Sequence, residues 1–456
     1  MGRRVRPTVR REGAVVGSAD SFFLHVEESG APQIAGGIAL LQPAPYDRPT
    51  LAEVRELVRA ELPHLPRFDM RLAAASTWRR PRWIDAGEPD VAWHVTERRS
   101  ADGLRGLEAI VAELAEEAFP RDRPLWRVVM VRDVGDGRSA MVFQMHHALG
   151  DGVGTVTNSL QLMRPRTALP SVDGAPGPLA RATATTIGIA QLALDGRPGR
   201  WSRAGTTRRS FATARPDLAT VRQVAAARQV RVTDLLLGLV GDAVAATCPE
   251  LAEALGGELR VTVPRLVARP AEWADGGPSR NATGAAMVDV PVDGRPFEDL
   301  VREVGRRAHR LHRPTRAMAS RFVMTTGLRL LPEPFAGWFA RTVYGARFFH
   351  AVVSNMPGPT EVLTFCGRGT HRTYPILPVA PGTPLAMGAL SWTGVLGISL
   401  ATDPALLDAS AMAVRMHAMI EKLAAEPPAA AGSGTAPGTG KESGERPLKG
   451  EEQARA

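Results

Sequence analysis

Met141-Val142-Phe143-Gln144-Met145-His146-His147-Ala148-Leu149-Gly150-Asp151-Gly152 is the stretch around which the chain is organised. The residues before the histidines are mostly apolar and alternate, which predicts a buried strand. Val153 to Met163 then predicts a helix. Two imidazoles therefore stand where a strand stops, with an acid four residues after the second and glycine on each side of that acid. Histidine can take and return a proton near neutral pH. An acid at this spacing can brace the turn, and glycine lets backbone or substrate approach closely. A pair of structural histidines closing a core strand fits the same residues.

At 456 residues the chain is too long for one ordinary core, so two domains are expected. The composition is globular, 44% hydrophobic and 23% charged. The net charge of +9 is almost entirely an arginine excess, since the lysines are Lys422, Lys441 and Lys449. Arginine suits phosphates, phospholipid headgroups or nucleic acid, although a GC-rich genome produces the same bias. No nucleic-acid fold signature accompanies the charge, so nucleic acid is not an expected partner. Cys248 and Cys366 stand far apart, giving neither a disulfide framework nor a zinc site, which suits a reducing cytoplasm. The basic start, Arg3 to Arg11, has no long apolar run before Asp20, so no secretory signal is expected. Nowhere do 18 apolar residues run together, so no transmembrane helix is expected.

Residues 1–17 read as a basic, poorly ordered arm, and Ser18-Ala19-Asp20 as a helix start before Phe22, Phe23 and Leu24. Strands are expected at Ala35 to Leu41 and Val91 to Val95. Helices are expected at 50–62 and 104–118, the first through Leu51, Val54, Leu57 and Val58. Arg123-Pro124-Leu125-Trp126 opens a buried strand, Val128 to Val131. The Gly135-Asp136-Gly137 turn joins it to the histidine strand as a hairpin, placing Trp126 in the core or wall near the site. Residues 165–216 are rich in Pro, Gly, Ala and Arg, with one apolar patch from Ile187 to Leu194, and read as an interdomain crossover.

Beyond the crossover, helices are expected at 218–228 and 233–247, the latter capped by Thr233-Asp234. Strands follow at Leu259 to Val263 and Ala285 to Val290. A basic amphipathic helix runs from Phe297 to His312; its His309 and His312 lack further ligands, so no metal is expected there. Two more helices, at 317–331 and 335–346, precede a strand at Phe349 to Val353 that runs into Ser354-Asn355-Met356-Pro357-Gly358-Pro359. Strands near 361–366, 384–392 and 394–401 and a helix at 408–424 complete the pattern. Beyond Glu426 the sequence cannot bury enough to fold.

Several motifs fail on inspection. Gly150 to Gly154 lacks the third spaced glycine and the ribose-binding acid of a dinucleotide loop. Gly440-Lys441 is followed by Glu442 where a phosphate-binding loop needs Ser or Thr. There is no Gly-x-Ser-x-Gly elbow, and neither cysteine adjoins a histidine in sequence. A protein nucleophile is not expected.

Taken together, four pieces in order resemble the bacterial wax ester synthase/diacylglycerol acyltransferase family, within the CoA-dependent acyltransferase superfamily. They are Asp20, Phe23 and Leu24; Pro124-Leu125-Trp126; the HHxxxDG motif filled by His146, His147, Asp151 and Gly152; and Ser354 to Pro359. The resemblance covers roughly residues 18–425. It departs at Thr233-Asp234, where the family has Asn-Asp, and at Arg280-Asn281, where it has Gly-Asn. Gln144 stands where a lysine is common, and Arg265 and Arg269 sit slightly off the usual arginine spacing. These departures bear on acceptor choice and local geometry more than on reaction type.

The resemblance implies an α/β fold (α+β, mixed sheets) of two chloramphenicol-acetyltransferase-like domains with an active-site tunnel between them. The boundaries follow as 18–164 for the N-terminal domain with the motif, 165–216 for the crossover, 217–425 for the C-terminal domain and 426–456 for a disordered tail. It implies a fatty acyl transfer from acyl-CoA, a co-substrate with no cofactor beside it, to a long-chain alcohol or diacylglycerol. His147 would be the general base, His146 a supporting residue, and Asp151 a brace paired with an arginine of the second domain. Gly152 would give the loop its tight turn, and Asn281 and Asn355 would be polar groups lining the site. A cytoplasmic protein, peripheral at a membrane or lipid-inclusion surface, is expected. Two rivals remain: a condensation-like acyltransferase of secondary metabolism using a polar acceptor or a carrier-protein donor, and a non-catalytic lipid-binding protein.

Overall fold

The computed structural model describes residues 13–43, 49–74, 76–167, 169, 178–195, 205–266, 281, 283–309 and 314–426. The expected tail and most of the basic arm lie outside them. Gly13 onward belongs to the fold, because Ala14–Val15 pairs antiparallel with Arg82–Asp85 in a small three-stranded sheet completed by Met70–Leu72.

Two six-stranded mixed sheets form the body. The first runs, in spatial order, Thr364–Phe365, Arg368–Ile376, Ile34–Leu41, Ala140–His146, Trp126–Arg132 and Val95–Arg99. Trp126–Arg132 and Ala140–His146 form the expected hairpin, with Asp133, Gly135, Asp136 and Gly137 all at positive φ in the turn. Val91–His94 is a helical turn rather than a strand, because the Asp90 side chain accepts the Ala92 and Trp93 N–H groups and closes a helix start. The strand begins only at Val95.

The second sheet runs Thr283–Pro291, Glu258–Leu266, Ala351–Pro357, Leu385–Trp392, Val395–Thr402 and Ser210–Ala214. Sheet order departs from chain order repeatedly, and two departures cross the boundaries expected from sequence. Arg368–Ile376, far along the chain, pairs with Ile34–Leu41 and so extends the first sheet. Ser210–Ala214, inside the segment read as a crossover, becomes an edge strand of the second. That segment also holds an 18-residue helix, Pro178–Asp195, packed against Pro314–Phe322.

Burial follows the pattern. Val240, Val261, Met387 and Leu400 are at the centre of the second core, and Trp83, Leu125, Phe143 and Met145 at that of the first. A third cluster lies between the sheets, joining Ile38, Val142 and Tyr374 to Phe211, Val352 and Ala386. The sheets approach closely there: a side chain on Gly397 would collide with the Thr373 carbonyl oxygen. The fourth cluster joins Phe22, Phe23 and Val26 of the Ser18–Glu27 helix to Leu328, Ala336 and Ala340 of the second half. No helix among the described residues is long and apolar enough to cross a membrane.

Candidate active site

The histidine strand is central in its sheet and wholly buried. Its ladder ends at His146, whose N–H donates to the Leu125 carbonyl at 2.9 Å. The Pro-Leu-Trp element thus fixes the strand end through its backbone. The His146 ring Nδ1 accepts the Ala148 N–H at 2.9 Å, which starts a short 3-10 turn, His147–Leu149. Asp151 then caps the Gly152–Gln161 helix, its carboxylate accepting the Gly154 N–H at 3.0 Å.

The two imidazoles have different surroundings. His146 is fully buried, with its Nε2 3.3 Å from Glu27 Oε1. Because Nδ1 accepts, the neutral ring carries its proton on Nε2, toward the carboxylate. Burial alone would raise the Glu27 carboxyl; His146, Arg121 and the Gln33 N–H outweigh it and hold the group below its usual value. Arg121 also hydrogen-bonds the second Glu27 oxygen.

His147 stacks on Phe23, ring centroids 3.8 Å apart and 26° from parallel. Desolvation by the surrounding protein, with the His146 ring adding to it, lowers its pKa to about 4. It is therefore neutral at pH 7, the form that can receive a proton. A lowered value is not itself a mark of catalysis: burial brings His350 to about 4 as well, where its Nδ1 accepts the Arg260 N–H. The position of His147 distinguishes it. Its N–H donates to Gln33 O at 2.8 Å, and its carbonyl accepts the Asn281 side-chain amide at 2.8 Å. Asn281 also donates, from backbone and side chain, to Asp20, whose other oxygen meets Arg67 at 3.0 Å. Residues from both halves thus fix the His147 backbone.

Gly152 has ordinary backbone angles as the first residue of its helix, so the tight turn expected of it is not its role. A Cβ there would lie 2.9 Å from Met356 Sδ, so the missing side chain makes room for the Ser-Asn-Met-Pro-Gly-Pro strand of the second half. Beside Met356, Asn355 donates to the Thr233 hydroxyl at 3.2 Å. Thr233 lies in a helix that starts at Val232, one residue earlier than expected. Asp234 accepts the Arg231 N–H, while Thr233 meets the Ser-Asn strand.

The structure thus brings His146, His147, Asp151, Gly152 and Asn281 together, with Asn355 one residue from the Met356 contact. Trp126 lies behind the site: it is buried, stacked on His94 with centroids 4.1 Å apart, and its indole N–H donates to Phe68 O. Gln144, where a lysine is common, sits directly across from Arg127 and accepts from it at 2.7 Å. A lysine there would face a cation across the strand pair. Glu27 and Gln33 were not singled out from sequence. Glu27 had a usable signal, since Asp20, Phe23 and Glu27 recur at helical spacing on one face. His309 lies past the Phe297–Ala308 helix and His312 outside the described residues.

The family model for the wax ester synthase/diacylglycerol acyltransferase catalytic domain matches residues 16–194, and that for the C-terminal domain of the same family matches residues 280–424. The chain belongs to the wax ester synthase/diacylglycerol acyltransferase family. Among relatives, a putative diacylglycerol O-acyltransferase of Mycobacterium tuberculosis is 26% identical over 400 residues, 75% of this chain and 82% of that protein. A probable diacylglycerol O-acyltransferase of the same species is 34% identical over 140 residues, 29% of this chain and 30% of that one. In fold, the chain is similar to the wax ester synthase/diacylglycerol acyltransferase from Marinobacter aquaeolei VT8, with a TM-score of 0.64 and 19% identity. That match covers 90% of this chain and 98% of the other. It is also similar to the first condensation domain of the CDA synthetase, with a TM-score of 0.60 and 16% identity, over 92% and 98%. The expected family and mixed-sheet fold class therefore hold.

Proposed function

We propose that this acyltransferase moves a fatty acyl group from acyl-CoA to the hydroxyl of a long-chain alcohol or diacylglycerol, with His147 as general base. The observation that carries the reading is a neutral imidazole at about pKa 4, stacked on Phe23 and fixed through its backbone from both halves. His147 takes the hydroxyl proton as the oxygen attacks the thioester carbonyl. The tetrahedral intermediate collapses, the carbon–sulfur bond breaks, and the imidazolium returns the proton to the departing CoA sulfur. No acyl-enzyme is needed, because a thiolate leaves readily. In the ground state His147 is a weak base. Negative charge developing on the substrate beside it stabilises the imidazolium in the transition state. Proton transfer by a placed histidine is typically worth roughly 10²–10⁴ in rate, and positioning of two bound substrates supplies more.

Within the proposal, His146 holds the turn, Asp151 pairs with an arginine of the second half besides capping its helix, and the substrates meet in a tunnel between 18–164 and 217–425. Acceptors of such low solubility are best reached at a membrane or lipid-inclusion surface, so the protein works there peripherally. An assay with labelled acyl-CoA and a panel of alcohols tests the reading. Long-chain esters support it. Product from polar acceptors alone favours a condensation-like transferase, and lipid binding without turnover a non-catalytic role.

A further inference from the structure

The Glu333–Val343 helix carries large apolar side chains on its exposed side as well as its inner one, where Phe339 and Val343 pack against the core cluster. Its small residues Ala336, Gly337 and Ala340 are buried, packing toward the Ser18–Glu27 helix, while Phe335 is 60% and Trp338 61% exposed. A surface helix ordinarily turns its large apolar side chains inward. The segment before it continues the exposed face with Leu330 at 79% and Leu331 at 39%. The Trp78 loop lies beside these residues: Arg80, two residues on, donates to the carbonyls of Leu328, Arg329 and Leu331, and Trp78 is 77% exposed.

Charge selects the occupant. Between residues 314 and 350 the sequence has five arginines, Arg316, Arg321, Arg329, Arg341 and Arg347, and one acid, Glu333; of these Arg341 is paired with Glu28 at the end of the adjoining helix. Glu333 is buried and bonded to His25 at 2.8 Å. Arg79, next to Trp78, is exposed, as is Arg329. A second copy of this face would bring positive charge against positive charge, whereas an anionic lipid surface complements it. Exposed tryptophan, phenylalanine and leucine among arginines is the chemistry that seats a helix at the headgroup–acyl boundary.

We infer that Trp78, Leu330, Leu331, Phe335 and Trp338 dock the protein on an anionic phospholipid surface. The inference rests on the peripheral-surface part of the function proposed above and names the face that makes the contact. The opposite side of the same helix packs on the helix that carries Phe23, the ring stacked on His147. Docking would therefore set the lipid one helix layer from Phe23.

Co-sedimentation of the full chain with phosphatidylglycerol/phosphatidylcholine vesicles, against pure phosphatidylcholine vesicles, tests this. The wild type is expected to pellet with the anionic vesicles and to release as salt rises. Trp338→Glu and Phe335→Glu are each expected to weaken binding about tenfold or more. Val414→Glu, at an exposed position on a different helix, is expected to bind as the wild type does. All three should keep transfer between a soluble short-chain acyl-CoA and a short-chain alcohol. Equal vesicle binding by wild type and both face variants overturns the docking face and leaves the peripheral reading standing. Equal binding to neutral vesicles overturns the charge argument. A wild type that binds neither vesicle overturns both the face and the peripheral reading. Self-association by light scattering that is lost in Trp338→Glu assigns the face to a second copy and overturns the lipid assignment.

Discussion

His146 Nε2 and Glu27 Oε1 face each other at 3.3 Å, across the junction between the first long helix and the end of the motif strand. The same Glu27 oxygen accepts the Gln33 N–H at 3.4 Å, and Gln33 O in turn receives the His147 N–H. One carboxylate is thus linked to both histidines, to the first by its ring and to the second through backbone. Glu27→Gln should lower kcat roughly 10- to 100-fold, the cost of sub-ångström misplacement of a reacting group, with KM little changed. Steady-state kinetics with both substrates checks this. A raised KM at unchanged kcat would remove the positioning role.

His147→Ala should lower ester formation by about 10²–10⁴. The ring is neutral and makes its main contact by stacking, so melting should shift by no more than about 4 °C. Thermal melting beside the labelled acyl-CoA assay separates the two effects. Turnover near the wild-type level would end the assignment of His147 as base.

The pH profile follows from the lowered His147 value of about 4, set first by desolvation. The imidazole stays neutral through pH 6.5, its ordinary value, so the acid limb of kcat/KM for the free enzyme should fall near pH 4. Stability has the same sign. The unfolded chain binds the proton first, so the contribution of His147 is fully present above 6.5 and is lost as pH falls toward 4. His350 titrates in the same direction, and a His350→Gln background isolates His147. An acid limb centred on 6.5 would show a solvated imidazole instead.

The parts of the fold written in short-range pattern were legible in the sequence. The alternation of Met141 to Met145 gave the strand, the Gly135-Asp136-Gly137 turn gave the hairpin, and Thr50 with Glu53 closes a capping box on the expected helix. What sequence did not show is pairing through space. Arg368–Ile376 lies between the strands expected near 361–366 and 384–392, and it pairs with Ile34–Leu41, a partner so distant that no local signal names it. The Glu27–His146 contact is hidden for the same reason. The helix expected at 317–331 runs on through Val323–Gly327, but there the backbone widens into a π turn. Glycine there lowers helix propensity, but its sequence does not specify the wider hydrogen-bond spacing. In the site, residue types were legible and roles less so: Gly152 announced a turn and instead clears space for Met356.

Asp151→Ala removes the acceptor of the Gly154 N–H and should cost about 1 kcal/mol through the lost cap, together with activity. Asp151→Asn caps comparably and should restore most of the melting temperature. If Asp151→Ala lowers activity while stability is unchanged, the carboxylate acts in the chemistry and the brace is wrong.

Gly152 and Met356 belong to different halves and meet at a distance that leaves no room for a methyl group. A Cβ on Gly152 would lie 2.9 Å from Met356 Sδ and 3.4 Å from its terminal carbon. Methionine can swing aside, so Gly152→Ala should still fold. The displaced side chain would press on the Ser354 to Pro359 strand, and overpacking of this kind costs about 1–3 kcal/mol. Activity should fall with it, because the neighbouring residue on that strand, Asn355, donates to Thr233 within the second half, and a shifted strand would disturb that bond. Shortening the partner should undo the damage: Gly152→Ala with Met356→Ala is expected to recover both melting temperature and turnover relative to Gly152→Ala alone. A double-mutant cycle measures the coupling directly, and residues in such contact typically couple by about 0.5–3 kcal/mol. Additive losses in the cycle would mean that Gly152 serves the loop itself and that the contact between halves is incidental.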